Sequence, residues 1–461
     1  MRTDYAAFVA GKRASEMAHG FDAEPAAGPL FPHQRDIVRW ALRLGRAAIF
    51  ADTGLGKTRM QLAWASEVAR HAGGRVLLLA PLAVGAQTIE EAEAIGVNAG
   101  RVGSDADVHV INYDRLHTID ATSYVGVVLD ESSILKSVDG KTRTMLIESF
   151  ADTCYRLACT ATPAPNDYTE LGNHAAFLGI CTREEMLAEY FVHDGGSTQD
   201  WRIKGHARRD FWRWVASWGV LIRRPSDLGH ADAGYALPPL TIGERVVKAD
   251  HGMAHAAGLL FADAAGGIGD QRAIRKASIG ERAAAVADLV ASEPDESWLV
   301  WGELNDECDA IESLIPGAVQ VKGSDDPDVK ADRLLAFARG EIRVLVTKPS
   351  IAGFGMNWQR CARQVFAGVG YSYEAFYQAV RRCWRFGQTR PVVVTIVRTD
   401  ADAGIAASLR EKAARADAMA AEMLSLVSAD QLASVRGIRP GVVTKAEKAV
   451  TIPSWLVSED T

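Results

Sequence analysis

The segment Ala51-Asp52-Thr53-Gly54-Leu55-Gly56-Lys57-Thr58 limits what this chain can become. It follows an apolar run, Ala47–Ala51, and opens an amphipathic stretch, Thr58–His71. A strand that runs through a glycine-rich turn into a helix is the context of a phosphate-binding loop. Glycines let backbone N–H groups wrap phosphate oxygens, and the helix N-terminus adds free donors and a favourable dipole. In that arrangement Thr53, Gly54, Leu55 and Gly56 form the cradle. Lys57 reaches the β- and γ-phosphates of ATP, and Thr58 offers its hydroxyl to Mg²⁺. The general pattern has glycine where this chain has Ala51, while Gly-x-Gly-Lys-Thr is intact.

Around the loop, short runs rich in Val, Ile, Leu and Ala alternate with helical-looking stretches. The runs are Ala47–Ala51, Val76–Ala80, Val108–Asn112, Val125–Leu129 and Tyr155–Thr160. The alternation returns at Trp298–Trp301, Val344–Thr347, Gln364–Ala367 and Val392–Val397, with helical stretches near 281–292, 303–315 and 327–339. Strand–helix alternation implies a parallel sheet covered by helices, so the spacing predicts two α/β sheets in series. Between them, about 164–236 has no strand rhythm and carries Trp201, Trp212, Trp214 and Trp218 with basic residues from Arg202 to Arg224. Trp212, Val215 and Trp218 fall at helical spacing, which favours packing on a lobe with arginines outward. The Ala-rich stretch Ala401–Val427 is strongly helix-favouring. The expected division is 1–235, 236–427 and a tail, 428–461.

Composition bounds the setting. At 461 residues the chain exceeds one ordinary core. No apolar run is long enough to span a membrane, and the N-terminal residues show no secretory pattern. The six cysteines form no CxxC pair, so neither zinc nor a disulfide framework is expected, and the expected location is cytoplasmic. A net charge of −7 argues against a chain that coats nucleic acid non-specifically, but it leaves room for a local basic groove.

Val127-Val128-Leu129-Asp130-Glu131 is an apolar strand ending in two carboxylates, and strand ends are where open α/β sheets present chemistry. A carboxylate there can hold Mg²⁺, and its neighbour can orient or deprotonate an attacking water. Asp130 is assigned to the metal and Glu131 to the water. An Asp-Glu alone is usually a solvated helix cap; its position after a phosphate loop gives it meaning.

From about Phe31 to Val397 the chain resembles the superfamily 2 DEAD/DEAH-like helicases, closest to their Swi/Snf-like double-stranded DNA translocase branch. Phe31-Pro32-His33-Gln34 resembles the element whose glutamine reads the adenine edge. Leu78-Leu79-Ala80-Pro81 and Ile111-Asn112-Tyr113-Asp114 resemble segments that contact the tracked strand. Asp130-Glu131-Ser132-Ser133-Ile134-Leu135-Lys136 resembles the DExH-I-K form, with Ser133 where the family has histidine. Thr160-Ala161-Thr162-Pro163 resembles the segment that links hydrolysis to domain motion. Leu221-Ile222-Arg223-Arg224 with Leu237-Pro238 resembles the junction between lobes, and Gly323-Ser324, Arg333 and Phe337 match the second-lobe pattern. Gly353-Phe354-Gly355-Met356-Asn357 resembles a glycine-rich element that meets nucleic acid and nucleotide, so Gly355 joins the ATP-binding set.

The run Gln378 to Gln388 is similar to the family's Gln-x3-Arg-x2-Arg-x-Gly-Gln element, with every spacing kept. Helical spacing would align Gln378, Arg382 and Arg385 at i, i+4 and i+7. Arginines presented across a domain gap stabilise charge on a transferring phosphoryl group. The resemblance thus implies two tandem RecA-like lobes with an interdomain cleft, a helical insertion between them and a helical tail. It also implies an ATPase that requires closure, with Lys57, Asp130, Glu131, Gln378, Arg382 and Arg385 as its catalytic set and Gln34 on the nucleotide. DNA, gripped mainly through phosphates with little sequence preference, is the expected partner. An RNA helicase of the same superfamily and the motor subunit of a restriction or nuclease complex remain open. A non-catalytic scaffold would need a broken phosphate loop or missing arginines.

Overall fold

The computed structural model describes residues 20–81, 84–136, 140–164, 167–193, 201–248, 276–352, 356–368, 370 and 372–437. Gly355, with its neighbours Gly353 and Phe354, lies outside the described residues, as do 1–19 and 438–461 of the expected terminal regions.

Two parallel sheets account for the core, the architecture expected of two tandem α/β lobes. The first is built from β1 (Arg46–Ala51), β2 (Arg75–Ala80), β3 (Ala99–Arg101), β4 (Val108–Asn112), β5 (Tyr124–Asp130), β6 (Tyr155–Thr160) and β9 (Gly219–Ile222). Its order is β3-β4-β2-β5-β6-β1-β9, and every adjacent pair is parallel. Helices cover both faces of such a sheet, so its strands read as unbroken apolar runs. Ala47, Ala48, Ile49, Phe50 and Ala51 of β1 are all fully buried. The order matters for chemistry: β6 lies between β5 and β1, so the ends carrying Asp130, Thr160 and the phosphate loop sit side by side.

A short antiparallel pair, β7 (Phe191–His193) and β8 (Trp201–Ile203), stands apart. The stretch expected to lack strands therefore contains three, and β9 completes the first sheet by pairing with β1 from Ala48↔Gly219 to Ala51↔Ile222. The preceding helix, Arg208–Trp218, buries Trp212, Trp214, Val215 and Trp218 and leaves Arg209 and Arg213 exposed. These tryptophans are core.

The second sheet comprises β10 (Leu240–Val247), β11 (Trp298–Trp301), β12 (Ala318–Gln320), β13 (Val344–Thr347), β14 (Arg363–Phe366) and β15 (Val392–Thr399). It is parallel throughout in the order β10-β15-β14-β11-β13-β12.

A single helix, Ala403–Val435, leaves the second lobe after β15 and ends on the first. The Gln431 side chain donates to the Leu221 carbonyl at 2.8 Å and accepts the Leu221 N–H at 3.1 Å, capping the outer edge of β9. The Trp40 indole donates to Ser434 Oγ at 3.1 Å, and Arg43 donates to the Val435 carbonyl at 3.0 Å. The division expected at 427/428 falls inside this helix, because apolar and amide contacts with the first lobe carry it eight residues past the end of the Ala-rich run. Among the described residues, no helix is long and apolar enough to cross a membrane.

Candidate nucleotide site between the lobes

β1 delivers the loop, and the helix Lys57–Ala72 receives it with Gly56 as its N-cap at φ 81°. Two glycines are required by close approach. A Cβ on Gly54, at φ 91°, would lie 2.9 Å from the backbone nitrogen of Phe386 in the second lobe. One on Gly56 would lie 2.2 Å from Gln34 Nε2. No other residue type allows both the left-handed backbone and that contact.

Gln34 is buried against the loop: its Nε2 donates to the Leu55 carbonyl at 3.0 Å, and its Oε1 accepts the Phe31 N–H at 3.0 Å. Lys57 Nζ donates to the carbonyls of Ala51 at 2.9 Å and Asp52 at 3.4 Å. Burial pulls the Lys57 ammonium pKa down, against the opposing pull of Glu131, Asp52 and Asp130. Thr58 is half-buried at the second residue of the helix.

The acidic pair is held from three elements. Gln61, one turn beyond Lys57, donates to Asp130 Oδ1 at 2.8 Å. Tyr113 OH donates to the Asp130 carbonyl at 2.6 Å, and Thr160 Oγ1 donates to Glu131 Oε2 at 3.3 Å. Burial pushes both carboxyls above the usual range; Gln61 and Lys57 pull Asp130 back down, and Lys57 does the same for Glu131. Ser133 is buried, while the adjacent Ser132 Oγ lies 3.1 Å from Nε2 of the fully buried His174.

From the second lobe, the helix Tyr373–Val380 brings the arginines. It ends before them, so Arg382 and Arg385 lie in turns and the single helical face is not formed. Arg382 is buried; its Nε donates to the Gln378 carbonyl and its Nη2 to Gln378 Oε1, both at 2.9 Å. Gln378 is itself fully buried, which makes it a strut for Arg382. Glu131 and Asp130 stabilise the charge on Arg382, although burial is the larger influence and lowers its pKa. Arg382 thus lies within electrostatic reach of the acidic pair, while its hydrogen bonds go to Gln378 and Met356. Arg385 instead donates to the Met356 carbonyl at 3.3 Å and senses Arg382 and Glu91, its pKa pushed down to about 9 by burial.

Several residues here were not singled out from the sequence. Glu374 of the second lobe pairs with Lys136 and accepts from Thr162 Oγ1 at 3.5 Å. Tyr377 and Arg381 grip Asp52. Gln61 was within reach of pattern reading, since it falls four residues after Lys57 and shares its helix face. Glu374, four residues before Gln378 in an apolar stretch, carried the same kind of signal.

A cavity of about 220 Å³ opens beside the loop, with Asp52, Thr53 and Gly54 on one side and Arg381, Trp384 and Phe386 on the other. The donor set suits a triphosphate with a divalent cation. The buried Asp130 carboxyl beside the half-buried Glu131, a half-buried lysine whose ammonium donates to loop carbonyls, and a buried Thr53 hydroxyl without a hydrogen-bond partner lie at or beside the loop. Such buried groups call for compensating charge and partners.

No family model matches the chain, and no curated protein matches it. Among solved structures it is similar to the Sulfolobus solfataricus SWI2/SNF2 ATPase core in complex with dsDNA. The identity is 15%, the coverage 90% of this chain and 98% of that one, and the TM-score 0.42. The strand orders above establish the two-sheet fold independently of that likeness.

Proposed function

We propose that the chain is a nucleic-acid-dependent ATPase that hydrolyses ATP between its two lobes to move along DNA. The observation that carries this reading is the seating of the segment that bears Arg382, from the second lobe, against the glycine-rich loop that bears Lys57 on the first: Phe386 N sits so near Gly54 that a Cβ there would lie 2.9 Å from it.

Lys57 turns from the loop carbonyls to the β- and γ-phosphates, with the loop amides around them. Thr58 and Asp130 would hold Mg²⁺, which would supply charge neutralisation at the phosphate oxygens. Glu131 orients the attacking water and takes its proton on the carboxylate, a task suited to a carboxyl whose basicity burial raises. Arg382 stabilises the negative charge that develops on the transferring phosphoryl group. Because Arg382 belongs to the other lobe, hydrolysis needs the lobes together, and its products release them. Lys136–Glu374, Thr162–Glu374 and Asp52–Arg381 make the same connection at three further points.

DNA as the track rests on the resemblance of the Gln378–Gln388 element and the Leu237-Pro238 junction to the DNA branch, with the tracked strand met at Pro81 and Asn112–Asp114. Contacts of that kind go to phosphates, so binding weakens steeply with salt and shows little sequence preference. The test is ATP turnover with duplex DNA, single-stranded DNA, RNA or no polynucleotide. Duplex DNA is expected to raise the rate several-fold; a larger rise with RNA would move the chain to the RNA branch.

A further inference from the structure

Among the described residues, the one non-glycine residue with a left-handed backbone is Glu131, at φ 53°. A side chain resists that conformation because its Cβ crowds the backbone, and such strain persists only where the surroundings impose it. The angle φ turns Glu131 against the peptide plane that joins it to Asp130. With φ held at that value, the orientation of that plane sets the direction in which the Glu131 side chain leaves the backbone.

The oxygen of that plane is the Asp130 carbonyl, and Tyr113 OH donates to it at 2.6 Å. Tyr113 is buried. It comes from a different part of the chain, the 3-10 turn Tyr113–Thr118 that follows β4, with Asn112 capping the turn by accepting the Arg115 N–H at 3.1 Å. On the far side of the strained residue, the Glu131 carbonyl accepts the Ile134 N–H at 3.2 Å. The Glu131 carboxylate accepts from Thr160 Oγ1. The strained residue is thus held at its preceding peptide, its own carbonyl and its carboxylate.

Buried tyrosines commonly donate to the nearest carbonyl merely to satisfy the hydroxyl. Here the acceptor belongs to the peptide that sets the strained angle, next to the carboxylate assigned to the water. We infer that Tyr113 is a positioning residue for hydrolysis: its hydroxyl locks the Asp130–Glu131 peptide and so aims the Glu131 carboxylate. This rests on the reading of Glu131 as the residue that prepares the attacking water.

The test is a double-mutant cycle on the full chain with duplex DNA and Mg·ATP. Tyr113→Phe removes only the hydroxyl. Misaiming a catalytic group costs about ten- to a hundredfold in rate, so kcat falls by that factor while KM for ATP stays within about twofold. In a Glu131→Gln background, single-turnover hydrolysis is the same with Tyr113 or Phe at that position, because there is no carboxylate left to aim. An equal fall in both backgrounds marks Tyr113 as general structural support and overturns the inference. An unchanged kcat in Tyr113→Phe also overturns it, and leaves the ATPase reading intact. A parent protein that hydrolyses no ATP overturns both.

Discussion

Asp52, in the glycine-rich loop, and Arg381, just beyond the helix Tyr373–Val380 of the other lobe, form a largely buried ion pair at 3.0 Å. The same carboxylate accepts from Tyr377 OH and from the Thr53 N–H, each at 2.6 Å. The Arg381 guanidinium lies over the Trp384 ring at 4.4 Å and the Tyr377 ring at 5.0 Å. The glycine-rich loop is therefore fastened directly to the segment that carries Arg382.

Removing one member of a buried pair leaves a charge without compensation, at a cost of about 3–5 kcal/mol, whereas removing both is far milder. Arg381→Gln is expected to lower the unfolding midpoint clearly and to expand the molecule in small-angle scattering. The double variant Asp52→Asn/Arg381→Gln should recover much of the loss. Equal midpoints for single and double variants would show that the pair contributes nothing.

Lys57 and Glu131 should separate binding from chemistry. Lys57→Ala is expected to weaken ATP binding. Glu131→Gln keeps ATP bound but slows hydrolysis by about 10²–10⁴-fold, the usual worth of a general base. Equilibrium binding of a fluorescent ATP analogue, set beside phosphate release, reads the two effects apart. Loss of binding in both variants would argue against the separate roles.

Acid should loosen the first lobe at two histidines. Burial pushes His33 and His174 down to about 4. Their folded-state pKa lies below the ordinary value, so the unfolded chain takes up protons first. Their contribution is full above about pH 6.5 and is lost as pH falls towards 4, at about 1.4 kcal/mol per pH unit for each. Urea midpoints at pH 7, 6, 5 and 4.5 check this, and a level series would contradict it.

Much of this architecture could be read from the chain because it is buried on both faces. β1, β2 and β5 carry continuous apolar runs, and those of β4 and β6 are interrupted by His109 and Arg156 alone, so their positions were plain. β9 was hidden by brevity, with Gly219–Ile222 following a helix directly. β10 was hidden by being an edge, with Ile242 and Val246 exposed along an alternating strand. Lys57, Asp130 and Glu131 were visible because their neighbours in sequence are also their neighbours in space. Asp52 and Tyr377 are 325 residues apart, and their bond exists only once the two sheets have docked. Pattern gave Gln378 and Arg382 their spacing, but the helix stops at Val380, and burial turned Gln378 into the support of Arg382.

The most direct test of the shared site is the kinetics of Arg382→Ala with saturating duplex DNA. If Arg382 acts on the phosphoryl group held by Lys57, kcat drops by about 10³-fold or more, while affinity for a non-hydrolysable ATP analogue changes little. Turnover close to the parent rate, in a variant that still binds the analogue, would contradict a single site made by both lobes.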